Sequence, residues 1–73
     1  MASSIEYLGR QVRFKVGYAY GYLGPNGQQI GRLKEVKEGD IGTVTSHKPG
    51  LTVQLADGSL VRATKDNVDL LPR

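Results

Sequence analysis

The sequence predicts an all-β fold: one small five-stranded barrel with a long first hairpin loop and a single short helical turn before the last strand. Three observations lead there. Across residues 38–71, short apolar runs are separated by Gly, Pro and Asp57-Gly58 punctuation at regular spacing, as in consecutive antiparallel strands. Residues 17–39 hold six of the ten glycines, too many for a helix. The chain has 73 residues and no cysteine, so neither disulfides nor thiolate metal sites supplement a core that buries only about 60% of the unfolded surface at this size. A sheet closing on itself supplies that core.

Residues 1–9 are expected to form a flexible N-terminal segment, and residues 10–73 the barrel. Residues 1–4 are small and polar. Ile5, Tyr7 and Leu8 are placed as a lid over one barrel end before Gly9 releases the chain. The first strand is read over residues 11–16. Val12, Phe14 and Val16 point inward, while Gln11, Arg13 and Lys15 make a cationic outer face. Next comes a folded-back hairpin with arms at 18–23 and 28–36. Its tip is Gly24-Pro25-Asn26-Gly27, where Pro25 presets φ at the second turn position and Gly27 closes the turn.

The following strand spans 41–46, and His47-Lys48-Pro49-Gly50 turns the chain. Strands at 51–56 and 59–64 form a hairpin about Asp57-Gly58, for which a two-residue type I′ turn is expected. Residues 65–68 read as the helical turn and 69–71 as the last strand. Val12, Phe14, Val16, Val44, Leu51, Val53, Leu55 and Val61 are expected to share one core.

The +3 net charge is unevenly spread. Arg10, Arg13, Lys15, Arg32, Lys34 and Lys37 fall within residues 10–37 and are opposed there only by Glu35. Such a cluster suits an anionic partner, either nucleic acid or an acidic protein surface. It equally suits a solvated edge that resists aggregation. Tyr18, Tyr20 and Tyr22 alternate, so in an extended arm all three project from one face. Tyrosine combines contact area with a polar tip, which serves protein interfaces and base stacking alike. Its structural alternative is capping the open barrel end.

Catalytic groupings are sparse. His47 is the sole histidine and falls in a turn, so neither a triad with Ser46 or Ser59 nor a zinc cluster assembles within one chain. Asp57, Asp66 and Asp69 have turn or capping roles, and the glycine-rich stretch 21–27 lacks the Lys-Ser/Thr ending of a phosphate loop. We expect no enzyme and no cofactor. The first residues lack signal-peptide character and no apolar run approaches the roughly 20 residues of a membrane span, so a cytoplasmic monomer without membrane contact is expected.

Glu38-Gly39-Asp40-Ile41-Gly42-Thr43-Val44-Thr45, followed by Leu51-Thr52-Val53-Gln54-Leu55 and Asp57-Gly58, resembles the KOW type of SH3-like domain. Such domains occur in ribosomal proteins and bacterial transcription elongation factors. Gly42 stands at the motif's characteristic glycine, two residues before the apolar Val44, and has a backbone reason to be glycine: a bulge or a close approach of strands. The long Tyr- and Gly-rich hairpin ahead of the motif departs from the family and counts against ribosomal RNA binding. In size, glycine content and basic face the chain also resembles small phage-encoded regulators that bind bacterial RNA polymerase.

These resemblances imply a non-enzymatic transcription regulator that docks on host RNA polymerase and alters initiation or elongation. Its contact residues would be Tyr18, Tyr20, Tyr22, Arg13, Lys15, Arg32 and Lys34. The alternatives are a direct DNA- or RNA-binding KOW-like domain using the same surface, and a small structural subunit of a larger assembly.

Overall fold

The computed structural model describes residues 4–47 and 50–72. Among them, the strands are β1 (Gln11–Phe14), β2 (Tyr18–Leu23), β3 (Gln29–Glu35), β4 (Ile41–Ser46), β5 (Leu51–Leu55), β6 (Leu60–Ala63) and β7 (Val68–Leu70). The only helical elements among these residues are 3-10 turns at Ser4–Tyr7 and Lys65–Asn67, the second of them directly before β7 as expected. The all-β class therefore holds.

The five-stranded closed barrel does not. Seven strands form one open antiparallel sheet in the order β3-β2-β6-β5-β4-β1-β7. The long first loop causes the difference, because its two arms are themselves ladder strands. β2 pairs with β3 on one side and occupies the edge of β6 on the other, so the sheet grows outward at that edge instead of closing.

The sheet is nevertheless strongly curled. Ala19 on β2 and Val68 on β7 lie five strands apart in the order, about 24 Å at the usual strand spacing if the sheet were flat. Both belong to one buried cluster with Val12, Phe14, Val36, Val44, Leu51, Val53, Val61 and Ala63. Of the residues expected in the core, Val16 and Leu55 are only partly buried and pack against that cluster. Small and β-branched side chains dominate it, which suits a thin core wrapped by one sheet.

The turns follow from residue chemistry. At the hairpin tip, the Gly27 amide donates to the Gly24 carbonyl at 3.0 Å and Gly27 takes φ +81°, so the expected Pro25-Asn26 turn is present. The Asp57-Gly58 turn differs from expectation. Type I′ geometry needs positive φ at both central residues, and only Gly58 has it, at +92°. The Gly58 amide donates to Leu55 O at 3.0 Å and the Leu55 amide to Ser59 O at 2.8 Å. Ala56, Asp57 and Gly58 thus form a three-residue loop, a type I turn with glycine at the left-handed position, which spares Asp57 that strain.

Residues 4–9 are tied to the sheet by the Gly9 amide, which donates to Val44 O at 2.9 Å. Of the proposed lid, Tyr7 packs on the core, whereas Ile5 and Leu8 are exposed. Lys48 and Pro49 of the expected 47–50 turn lie outside the described residues.

Candidate functional site

Period-two alternation along β2 buries Ala19 and Gly21 and turns Tyr18, Tyr20 and Tyr22 to the opposite face. Ala and Gly fit on the inner side because β3 and the core lie close: a Cβ on Gly21 would stand 2.9 Å from the Lys34 Cβ. Tyr20 is directly opposite Leu33 on β3 and Arg62 on β6, and Arg62 is in turn opposite Thr52 on β5. Leu33, Tyr20, Arg62 and Thr52 therefore form a cross-strand row on one face, with Tyr18 and Tyr22 on either side of Tyr20.

The three tyrosines have different environments. Tyr18 is 63% exposed, Tyr20 45% and the neighbouring Leu33 67%, so these three make a contiguous apolar strip open to solvent. Tyr22 is half-buried. Its hydroxyl donates to Thr52 Oγ1 at 3.2 Å, and the Arg62 guanidinium lies 5.5 Å from its ring centroid. That arrangement is a cation–π contact holding ring and arginine together. Beside the strip runs a shallow groove of about 450 Å3 between β2 and the second 3-10 turn, lined among others by Tyr18, Tyr20, Leu33, Arg62 and Asn67.

The cations expected beside the rings lie elsewhere. Arg32 and Lys34 pair with Gly21 and Ala19, which puts them on the face of the hairpin opposite the tyrosines. Lys34 Nζ sits 3.6 Å from Asp57 Oδ2. Arg13 and Lys15 belong to the other end of the sheet, where both approach the Asp69 carboxylate, at 3.8 and 3.5 Å. Arg10 donates from Nη2 to Leu71 O at 2.7 Å. The basic cluster of residues 10–37 is thus distributed over two faces and partly neutralised. The cation that accompanies the tyrosines is Arg62, which sequence reasoning missed. Its only signal was the alternation of β6, where Val61 and Ala63 are buried and Arg62 points out.

The Asp57 carboxyl is held below the ordinary carboxylate range. Its Oδ1 accepts the Ser59 amide at 2.9 Å, which lowers its pKa below the ordinary 3.8, with Lys34 adding to the effect and slight burial opposing it. The buried Ser59 Oγ makes no hydrogen bond, so we assign the lowering to the amide and the lysine rather than to the hydroxyl. A carboxyl depressed in the folded state contributes stability above its unfolded pKa and loses it as the pH falls through the folded value. Asp57→Asn keeps an amide-accepting oxygen and removes the charge. Thermal unfolding between pH 6 and pH 2 is therefore expected to show a smaller acid loss in Asp57→Asn than in the wild type, with the difference opening only below about pH 4. The side chain is half-exposed, so the effect is small.

No protein family, curated protein or solved structure matches the chain. Among the described residues, no group of three His, Asp or Glu side chains converges on a common point, and no helix is long and apolar enough to cross a membrane.

Proposed function

We propose that this chain is a non-catalytic docking module that presents Tyr18, Tyr20 and Leu33, rimmed by Arg62, to a protein partner. The observation that carries this reading is that Tyr18, Tyr20 and Leu33 are left exposed side by side on one face, whereas the other exposed large apolar residues among those described, Ile5, Leu8 and Ile41, lie on neither β2 nor β3. Aromatic and arginine side chains at a patch centre are the usual anchors of protein interfaces, whereas direct DNA or RNA binding requires a continuous basic footprint. Here Arg13, Lys15 and Lys34 each have a carboxylate neighbour and lie away from the rings. Bacterial RNA polymerase is the concrete partner, by the likeness of residues 37–71 to KOW domains and by the likeness in size, glycine content and basic face to small phage regulators. Docking there would alter initiation or elongation.

The test is a titration of purified bacterial RNA polymerase against the protein and its variants. Tyr20→Ala weakens binding by about 2 kcal/mol, roughly thirtyfold, while Arg13→Ala and Lys15→Ala change it by less than about 0.5 kcal/mol. Tyr22→Ala also weakens binding but lowers the melting temperature, because it removes the contacts with Thr52 and Arg62. Tight binding to free duplex DNA, falling on a log-log salt plot by about 0.9 per phosphate and dominated by the arginines and lysines, would overturn the reading in favour of nucleic acid.

A further inference from the structure

We propose that the open edge of β3 accepts an extended peptide strand, antiparallel, in which apolar and acidic residues alternate. The inference rests on the docking reading above and adds the chemistry of the partner segment. β3 lies at the end of the sheet and pairs only with β2. The Val36 amide donates to Gly17 O at 2.9 Å, which fixes the phase of that ladder. Hydrogen-bonded pairs recur at every second residue, so with Ala19 opposite Lys34 and Gly21 opposite Arg32, the backbone groups of Lys34 and Arg32 face β2. The N–H and C=O groups of Leu33 and Glu35 consequently face the open side. Gly31, at φ +61°, interrupts the regular strand just before them, so the usable edge runs over residues 32–35.

A strand hydrogen-bonded to Leu33 sets one side chain beside Leu33 on the tyrosine face, where an apolar group extends the exposed strip. Its two flanking residues fall on the other face, opposite Arg32 and Lys34. Among the described residues Arg32 has no carboxylate partner, and Lys34 has Asp57 at 3.6 Å. Acidic residues at those flanking positions complete the pairs. A second copy of the chain does the reverse. Antiparallel self-pairing that keeps both faces aligned sets Arg32 against Arg32, Arg32 against Lys34, or Lys34 against Lys34, according to register. Like charges directly opposite one another destabilise a ladder, so the edge repels its own copy while selecting an acidic strand.

The test is fluorescence anisotropy with a short labelled peptide that alternates valine and aspartate. The expected result is binding that weakens with salt, and a loss of about tenfold or more when the valine amides are N-methylated, since those amides face β3. A valine–lysine peptide is expected to bind Arg32→Glu better than the wild type, and the valine–aspartate peptide to show the opposite preference. Arg32 is exposed, and an unchanged melting temperature establishes that the variant is folded. No binding of the valine–aspartate peptide, equal binding of its methylated and unmethylated forms, or an unchanged preference in Arg32→Glu each overturns the proposal. None of these outcomes bears on the polymerase titration with Tyr20→Ala, which judges the tyrosine strip separately.

Discussion

Phe14→Ala is expected to lower the unfolding free energy by about 3 to 5 kcal/mol. Phe14 is only 1% exposed and is the largest fully buried side chain. It stands opposite Val68 on β7, and its backbone also holds the approach to β4, donating to Asp40 O and accepting from the Gly39 amide, both at 2.8 Å. The surrounding core is mostly valine, whose χ1 is stiff, so the cavity left by the ring is poorly refilled. A domain of this length holds roughly 4 to 11 kcal/mol in total, so the variant is at the margin of folding. Denaturant unfolding at constant m-value measures the loss directly, and a change below about 0.5 kcal/mol, as at a surface site, would contradict the burial of β1.

Gly42→Val is expected to be comparably damaging for a different reason. Gly42 lies on β4, opposite Val12 on one side and Leu55 on the other. Its φ is not in the left-handed region, so no conformational demand singles out glycine. The demand is spatial. A Cβ here would run into Val53 Cγ1 and stand 2.8 Å from Gln54 O, and the backbone oxygen of a central strand cannot step aside. Overpacking of this kind costs about 1 to 3 kcal/mol, and the added methyls of valine place it at the upper end. Combining Gly42→Ala with Val53→Ala is expected to recover part of the loss, because one of the two obstructions is removed. Retention of the melting temperature by Gly42→Val with loss of polymerase binding would instead make this glycine a contact residue.

The alternation of β2 was legible along the chain, because Tyr18, Tyr20 and Tyr22 at period two share a face wherever an extended arm is paired. Gly42 was legible as a backbone requirement, and its cause is the closeness of β5 at Val53 and Gln54. The grouping of the cations was not. Arg13 and Lys15 are near Tyr18 in sequence, yet β1 pairs with β4 and β7 while β2 pairs with β3 and β6. Four steps in strand order therefore separate residues that the chain holds a few positions apart. Val36 and Val68 entered the core without a periodic signal, since each flanks a strand end where curvature rather than alternation decides which way a side chain points.

By itself the sequence located the strands to within two residues at their ends, the first being read over 11–16 and ending at Phe14, and it determined which side chains on each strand share a face, because these depend on φ restrictions and on the two-residue period of the pleat. Only the tertiary structure decided that the first hairpin joins the sheet and leaves it open, that Arg62 rather than Arg13 or Lys15 stands beside the tyrosines, and that β3 remains an unpaired edge. Those outcomes depend on which strand lies beside which, and long-range pairing is set by the packing of the whole curled sheet, not by any local run of residues.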